Sequence, residues 1–367
     1  MSEGAPGVAA APLDAWLRAT GLLTASDPPA AVTQLAGGSS NITASVRSGS
    51  HDWVLRRPPV RGALPNAHYM LREYRIQAAL ASAGTGLPLA VMVAPCDDVS
   101  VIGAPFYLME RLTGHVHTVA SLMPLPDATV HTVGLALVDA LADLHTVDPG
   151  KVEAMAEFLR PEPYVDRQLR RWSGQWERAR AATGLGGEPV LDRVFAWLTA
   201  NRPPVPPPRV VHGDYGFANV MFDADEVTKV QAILYWELTA VGDALSDLGS
   251  LIAYQSEAGR LMNSGRPDPV CHRDLLPALP TVPDLIERYA QRSGDSAASA
   301  DSADSADSGV AHVTWYVTFA VTKLAVIVAG ALNRLDPATD EERRARSTRM
   351  VHDLAVVAEA ELERGRP

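Results

Sequence analysis

The sequence predicts an α+β fold of two lobes, a small β-rich lobe followed by a mainly helical one. Between Val32 and Leu112 the apolar residues fall in short β-type runs broken by glycine and proline: VTQLAGGSSNITASV, HDWVLRR and VIGAPFYLMERL. One helical stretch, Ala67 to Ala83, interrupts them. After Gly114 the period changes, because Val133, Leu137, Leu141 and Leu144 recur at spacings of four, four and three and form one apolar helical stripe. A proline-rich joint, RPPVPPPRV at 202–210, precedes VVHGDY, NVMF and VQAILYWEL, which read as strands and turns set among helices. The chain therefore divides into a lead and helix over 1–29, a β-rich lobe over 30–112 and a helical lobe over 113–367.

Composition narrows the function classes. In 367 residues, 47% are hydrophobic and 20% charged, enough apolar material for a large core or two smaller ones. Asp plus Glu number 43 against 32 Lys plus Arg, and the resulting net charge of −11 argues against a nucleic acid or an anionic membrane surface. A small molecule is the expected partner, and nothing in the sequence indicates an oligomeric state. Cys96 and Cys271 stand alone, without a metal-binding or disulfide pattern, and a reducing cytoplasm fits that usage. The amino terminus lacks the basic start and apolar centre of a secretory signal, so no export is expected. Trp315 to Leu332 approaches the length of a membrane span, but Lys323 in its middle predicts a buried helix.

Two further segments are marked by composition. An Asp-Ser-Ala repeat over 295–308 carries no large apolar side chain and predicts a disordered loop over 294–309. From Asp340 to Arg364, Met350, Leu354, Val357 and Leu362 at helical spacing predict a last amphipathic helix.

The strongest chemical signal is VVHGDYGFANVMF, residues 210–222. An Asp on a loop beside a His, with an Asn five positions later, supplies a carboxylate to accept a hydroxyl proton and an amide oxygen able to bind Mg²⁺. Phosphoryl transfer needs that pairing, although the Asp-x₄-Asn spacing by itself also fits an Asx-rich turn. With its surroundings, the segment resembles the catalytic loop of the aminoglycoside-phosphotransferase family of the protein-kinase-like fold, His-Gly-Asp-x-x-x-x-Asn. His212, Gly213, Asp214 and Asn219 match position for position, and GDALSDL at 242–248 is similar to the family's GDPLxDL segment. The resemblance implies that Asp247 braces the catalytic loop, that Asp214 acts on the acceptor hydroxyl with His212 beside it, and that Asn219 holds metal.

Upstream the resemblance continues. LAGGSSNIT, residues 35–43, would be the turn between the first two strands, with Gly37 and Gly38 letting backbone N–H groups approach phosphate and Ser39, Ser40 and Asn41 adding donors. Arg56 in HDWVLRRPP stands where kinases place the lysine that grips phosphates, and Glu73 in REYRIQAAL matches the acid paired with it. Arg57 and Arg61 would extend this into a basic edge for ATP. GAPFYLMERLTG, residues 103–114, looks like the family's hinge, implying adenine contacts from the backbone of Glu110 and Leu112 with Met109 behind. VLRRPP, REYRI, LVDALADLHTVD, RQLRRWSGQWERAR and WYVTFAVTKLAVI bring the chain closest to the branch of kinase-like domains fused to acyl-CoA dehydrogenases. That branch implies a hydroxyacyl-CoA acceptor, and the better-known branch an aminoglycoside-like one. Arg167, Arg170, Arg171 and Arg178 would meet CoA phosphates or simply form a solvated helix face.

The sequence departs from the family pattern at one position. The family strand ends Ile-Asp-Trp-Glu, and its Asp supplies the second Mg²⁺ ligand. Here ILYWE places Tyr235 there, a phenol that stays neutral at physiological pH and is a poor ligand for a hard cation. Glu237 would face the same side if the strand continued, and is the substitute candidate. Three readings of Tyr235 stay open: a pseudokinase acting as a nucleotide-binding or interaction module, an enzyme with a shifted metal site, or a single-residue lesion. The sequence therefore predicts a two-lobed protein-kinase-like phosphotransferase that moves the ATP γ-phosphoryl group to a small-molecule hydroxyl, with ATP and Mg²⁺ as cofactors.

Overall fold

The computed structural model of the chain describes residues 5–35, 41–60, 67–183, 185, 189–264, 269–294, 310–333, 335–336 and 339–364. The chain forms two compact units. The first runs to Gly114 and also takes in Gln231–Glu237, and the second comprises His115–Val230 and the chain from Leu238 onward. The sequence boundary at 112 thus falls two residues early and misses the return of 231–237 to the first unit.

In the first unit the elements are α1 (Ala10–Ala19), β1 (Ala31–Gln34), β2 (Ile42–Ser48), β3 (His51–Arg57), α2 (Ala67–Ser82), β4 (Met92–Cys96), α3 (Val99–Ile102) and β5 (Phe106–Glu110). The strands form one antiparallel sheet in the order β1-β2-β3-β5-β4. β2 and β3 pair from Ile42–Arg57 to Ser48–His51, which leaves the two-residue turn Gly49-Ser50, where Gly49 supplies the left-handed φ of +57° that a tight hairpin requires. Leu13 and Leu17 of α1 are fully buried with Val46, Leu55 and Phe106, and Trp16 meets the Phe106 ring edge-on at 5.0 Å. The helix read from 1–29 is therefore part of this unit's core.

Two local readings change. VIGAPFYLMERL is not one strand, because Asp98 caps a short helical turn by accepting the Ser100 N–H at 2.8 Å and Gly103 ends it at φ +81° before β5 starts. MVAPC forms β4 beside β5, although the sequence pattern did not single it out.

Strand alternation places Arg56 and Arg57 on opposite faces of β3, and both are buried. Arg57 donates to the carbonyls of Gly7 and of Ile102, the latter at 2.9 Å, so it ties the amino-terminal segment and α3 to the sheet. It does not contribute to a basic edge, and Arg61 lies outside the described residues.

The second unit is mainly helical. Val310–Leu332 packs on Glu341–Arg364, Leu245–Tyr254 and Tyr164–Thr183, while Val282–Ser293 packs on Asp127–Thr146. His312–Leu332 is long and apolar enough to cross a membrane, yet 78% of its apolar 18-residue stretch is buried within the protein, which makes it the central core helix of this unit. Gly249 permits the tightest approach to it: a Cβ there would stand 2.6 Å from the backbone carbonyl carbon of Tyr316. Strand Arg209–Val211 pairs antiparallel with Ala240–Gly242 and leads into the loop after Val211. The final helix, Glu341–Arg364, is present as expected, but its buried face runs through Val351, Leu354, Ala355, Ala358 and Leu362, leaving the expected Met350 and Val357 half-buried. The expected disordered loop over 294–309 begins at Gly294, which caps a helix at φ +67°, and otherwise lies outside the described residues.

Arg57→Ala is expected to lower stability by about 1–3 kcal/mol, since the buried Ile102 carbonyl and the part-buried Gly7 carbonyl lose their donor. A urea midpoint unchanged by the substitution would show that Arg57 does not hold α1 and α3 in place.

Candidate functional site

In the second unit, the loop after strand Arg209–Val211 turns sharply at Gly213, φ +87°, where a Cβ would stand 2.6 Å from the Leu238 carbonyl oxygen. Asp247, on helix Leu245–Tyr254, fixes that turn. Its carboxylate accepts the His212 N–H at 2.6 Å and the Gly213 N–H at 2.8 Å, with His145 Nε2 at 3.3 Å on the same group. Tyr289 Oη lies 2.7 Å from His145 Nδ1 on the far side of the ring. Burial pushes the Asp247 carboxyl up, but the His145 hydrogen bond, the electrostatic attraction of the His145 and His212 rings and the Gly213 N–H prevail and hold it below its ordinary 3.8.

The loop so braced presents His212, Asp214 and Asn219 together. Asp214 N–H donates to Nδ1 of the buried His212 ring at 3.3 Å. Asn219 Nδ2 donates to the Asp214 carboxylate at 3.0 Å and to its carbonyl at 2.5 Å. Tyr254 Oη donates to the other Asp214 carboxylate oxygen at 2.9 Å. The carboxylate is thus oriented from two sides, and each oxygen retains a lone pair for a further donor such as an acceptor hydroxyl. Tyr254 was not singled out in the sequence, although it lies seven residues, two helical turns, after Asp247 and hence near the same helix face.

In the first unit the structure brings Arg56, Glu73, Tyr235 and Glu237 together. Arg56 at the end of β3 forms an ion pair with Glu73 of α2, both almost completely buried. Its Nη1 also donates to Tyr107 Oη at 3.3 Å, and its Nη2 lies 3.7 Å from the Glu237 carboxylate. Its guanidinium covers the Tyr235 ring at 4.7 Å from the centroid. Glu73 further accepts the Trp236 N–H at 3.0 Å, while Arg72 donates to the Glu237 carbonyl at 2.9 Å. Burial pushes Glu73 up to about 7, with Arg56 pulling against it and Glu237 adding to it. Arg56 Nε, Glu73 Oε2 and Glu237 Oε2 are buried without hydrogen-bond partners, so this cluster retains unspent polar capacity.

The basis for Glu237 as a substitute ligand changes. The strand ends at Ile233 and Trp236–Leu238 form a 3₁₀ turn, so no strand alternation relates positions 235 and 237. Tyr235 at φ +63° is the one non-glycine residue with positive φ among the described residues, a conformation that Asp and Asn tolerate far better than Tyr. Glu237 is engaged with Arg56, and the described residues contain no group of three His, Cys, Asp or Glu able to hold a metal. Asn219 offers one amide oxygen beside the Asp214 carboxylate, oxygen donors of the kind Mg²⁺ takes together with water and phosphate oxygens.

The remaining predicted residues are placed as follows. Met109 and Glu110 close β5, pairing with Val54 and Trp53, and Leu112 follows the strand. Asn41 immediately precedes β2, whereas Gly37, Gly38, Ser39 and Ser40 lie outside the described residues. Arg170 pairs with Glu162, and Arg167 donates to the Val241 carbonyl at 3.4 Å.

The sequence model of a family described as APH, phosphotransferase enzyme family, matches residues 31–280. The chain belongs to that family. This APH-family chain is similar to acyl-CoA dehydrogenase family member 11 of Gallus gallus, with 36% identity over 218 residues, 59% of the chain and 27% of that protein. It is also similar to acyl-CoA dehydrogenase family member 10 of Mus musculus, with 32% identity over 236 residues, 64% of the chain and 21% of that protein. It therefore spans about a quarter of the length of these curated relatives. A Ralstonia eutropha crystal structure, provisionally described as an aminoglycoside phosphotransferase, superposes with a TM-score of 0.73 at 27% identity, covering 95% of the chain and 98% of that structure. The GDP complex of wild-type aminoglycoside 2'-phosphotransferase-IIIa, at 15% identity and a TM-score of 0.59 over 93% of the chain and 97% of that structure, shares the fold. The APH-family chain thus has a kinase-like α+β fold.

Asp247→Asn is expected to cost about 1–3 kcal/mol, because an amide has one oxygen for two converging N–H groups and turns its NH₂ toward the other. Since the folded pKa lies below the ordinary value, the carboxylate's contribution is complete above pH 3.8 and is lost as pH falls through the lower folded value. Equal denaturation midpoints for wild type and Asp247→Asn at neutral pH would refute the bracing role.

Proposed function

We propose that the chain transfers the γ-phosphoryl group of ATP to a hydroxyl group of a small molecule. The observation that carries this reading is the Asp214 carboxylate, held by Asn219 and Tyr254 on a loop that Asp247 braces. In this reading the acceptor oxygen forms a bond to the γ-phosphorus as its proton passes to Asp214. The bond from that phosphorus to the bridging oxygen breaks, and ADP leaves with the electron pair. Arg56 meets the phosphates with Glu73 as its support, and the backbone at Glu110 and Leu112 meets the adenine edge. The GDP bound to a neighbour of the same fold supports a nucleotide as donor. The names of the relatives and neighbours support an acyl-CoA-linked or an aminoglycoside-like hydroxyl as acceptor.

A second reading, a nucleotide-binding module without turnover, is favoured by Tyr235. The position that carries an Asp in the family pattern holds a phenol stacked on Arg56, and Arg56 is engaged by two glutamates. Free energy released on pairing with phosphate would have to offset the loss of those contacts.

ATP consumption with and without Mg²⁺, measured against a panel of hydroxylated acceptors, decides between the readings. Asp214→Asn is expected to reduce turnover by about 10²–10⁴-fold while ATP still stabilises the protein thermally. Turnover that survives this substitution would remove Asp214 from the reaction. Tyr235→Asp restores a carboxylate and suits the left-handed backbone, so Mg²⁺-dependent turnover is expected to rise strongly. Identical rates in Tyr235→Asp and wild type would mean that position 235 does not limit the reaction.

A further inference from the structure

Helix Val310–Leu332, the second unit's central helix, carries one lysine, the half-buried Lys323. Its ammonium donates to the Gly213 carbonyl at 3.0 Å, directly on the loop that presents Asp214. Among the described residues that is its single hydrogen bond and no carboxylate lies within ion-pair distance of it, so two of its three N–H groups are unspent. Holding an ammonium half-buried with so little compensation costs free energy that a closely bound anion would recover.

A cavity of about 140 Å³ adjoins this group, lined among others by Gly213, Lys323, Arg171, Gln168, Ser246 and Trp172. Lys323, Arg171 and Gln168 bring unspent donors to it, and the Tyr164 hydroxyl lines it as well. Arg171 rests over the Trp172 ring at 5.2 Å and, among the described residues, donates no hydrogen bond and has no ion-pair partner. Gln168 accepts the Trp172 indole N–H at 3.1 Å through its oxygen, which leaves its NH₂ to donate. Asp247 also lines the cavity, but its oxygens already accept the two loop N–H groups and face His145. Ser246 and Ser250 hydroxyls donate back to the Asp243 and Ser246 carbonyls.

Resting on the phosphotransfer reading, we propose that this cavity is the subsite for an anionic group of the acceptor, a carboxylate or a phosphate, received by Lys323, Arg171 and Gln168. The group anchors the acceptor beside the loop that carries Asp214. The subsite discriminates against polycations, because two positive side chains face the space a cationic ring would have to enter. Burial pushes the Lys323 ammonium down, with Asp214 and Asp247 pulling it back up and Arg171 lowering it further, so an entering anion compensates the same charge.

Thermal melting of the full chain at constant ionic strength tests the assignment. The probes, at millimolar concentration, are 3-hydroxybutyrate as a carboxylate source, glycerol 2-phosphate as a phosphate source, 1,3-butanediol as a neutral control and kanamycin as a polycation. At least one anion is expected to raise the melting temperature through mass action, and the diol and kanamycin are not. The increment is expected to fall by more than half in Arg171→Gln and to vanish in Lys323→Met. Arg171 is exposed, so Arg171→Gln keeps the test valid if Lys323→Met fails to fold. Which anion responds identifies the source. The assignment is overturned if no anion shifts the wild type, if Arg171→Gln keeps the full increment, or if kanamycin stabilises more than either anion. ATP is titrated in parallel: an intact anion shift without ATP stabilisation would refute the phosphotransfer reading and leave the subsite standing.

Discussion

The second unit's site depends on one buried carboxylate that accepts two consecutive backbone N–H groups. Asp247 takes the N–H groups of His212 and Gly213, and those two contacts set the direction in which the chain leaves strand Arg209–Val211. Gly213 then turns at positive φ, and the chain delivers Asp214 to Tyr254 and Asn219. A buried carboxylate is normally unfavourable, and here several donors converge on it and reverse the sign of the burial effect. Lys323 completes the frame from the opposite helix by holding the Gly213 carbonyl. Both polar groups of Gly213 are therefore satisfied by side chains from helices remote in sequence.

Arg56 shows the opposite balance. Its guanidinium is nearly buried and meets two carboxylates, a phenol and an aromatic face, yet its Nε and one oxygen on each glutamate remain without partners. A buried ion cluster of this kind contributes little net stability, because desolvation consumes most of the Coulombic gain. The left-handed backbone at Tyr235 adds a further cost at the same place. Unspent polar atoms and backbone strain together mark this cluster as a site shaped by something other than stability.

Several site features were legible in the sequence because they are local. The His-Gly-Asp-x₄-Asn spacing is one turn of chain, and the structure keeps its members within hydrogen-bonding distance. Arg56 and Glu73 were paired through motif positions, and the ion pair is present. The failures were also local in cause. Glu237 would share a face with position 235 only if the strand continued, and Tyr235 at positive φ breaks the alternation. Arg57 was assigned to a basic edge with Arg56, although adjacent strand residues point to opposite faces. Tyr107 carried no signal, since its contact with Arg56 arises from pairing across β3 and β5.

Hydrophobic period and turn residues were enough to establish a β-rich part followed by a helical one, because each reports on a few neighbouring residues. The His-Gly-Asp-x₄-Asn motif likewise pointed to the family, and the absent Asp at 235 is visible in the bare string. Which groups share a buried volume was settled by long-range packing. Tyr254 on Asp214, Lys323 on Gly213 and Tyr235 under Arg56 join residues 40, 110 and 179 positions apart, distances over which no sequence period carries information. There the charge and hydrogen-bond balance is decided by what the folded core excludes from water.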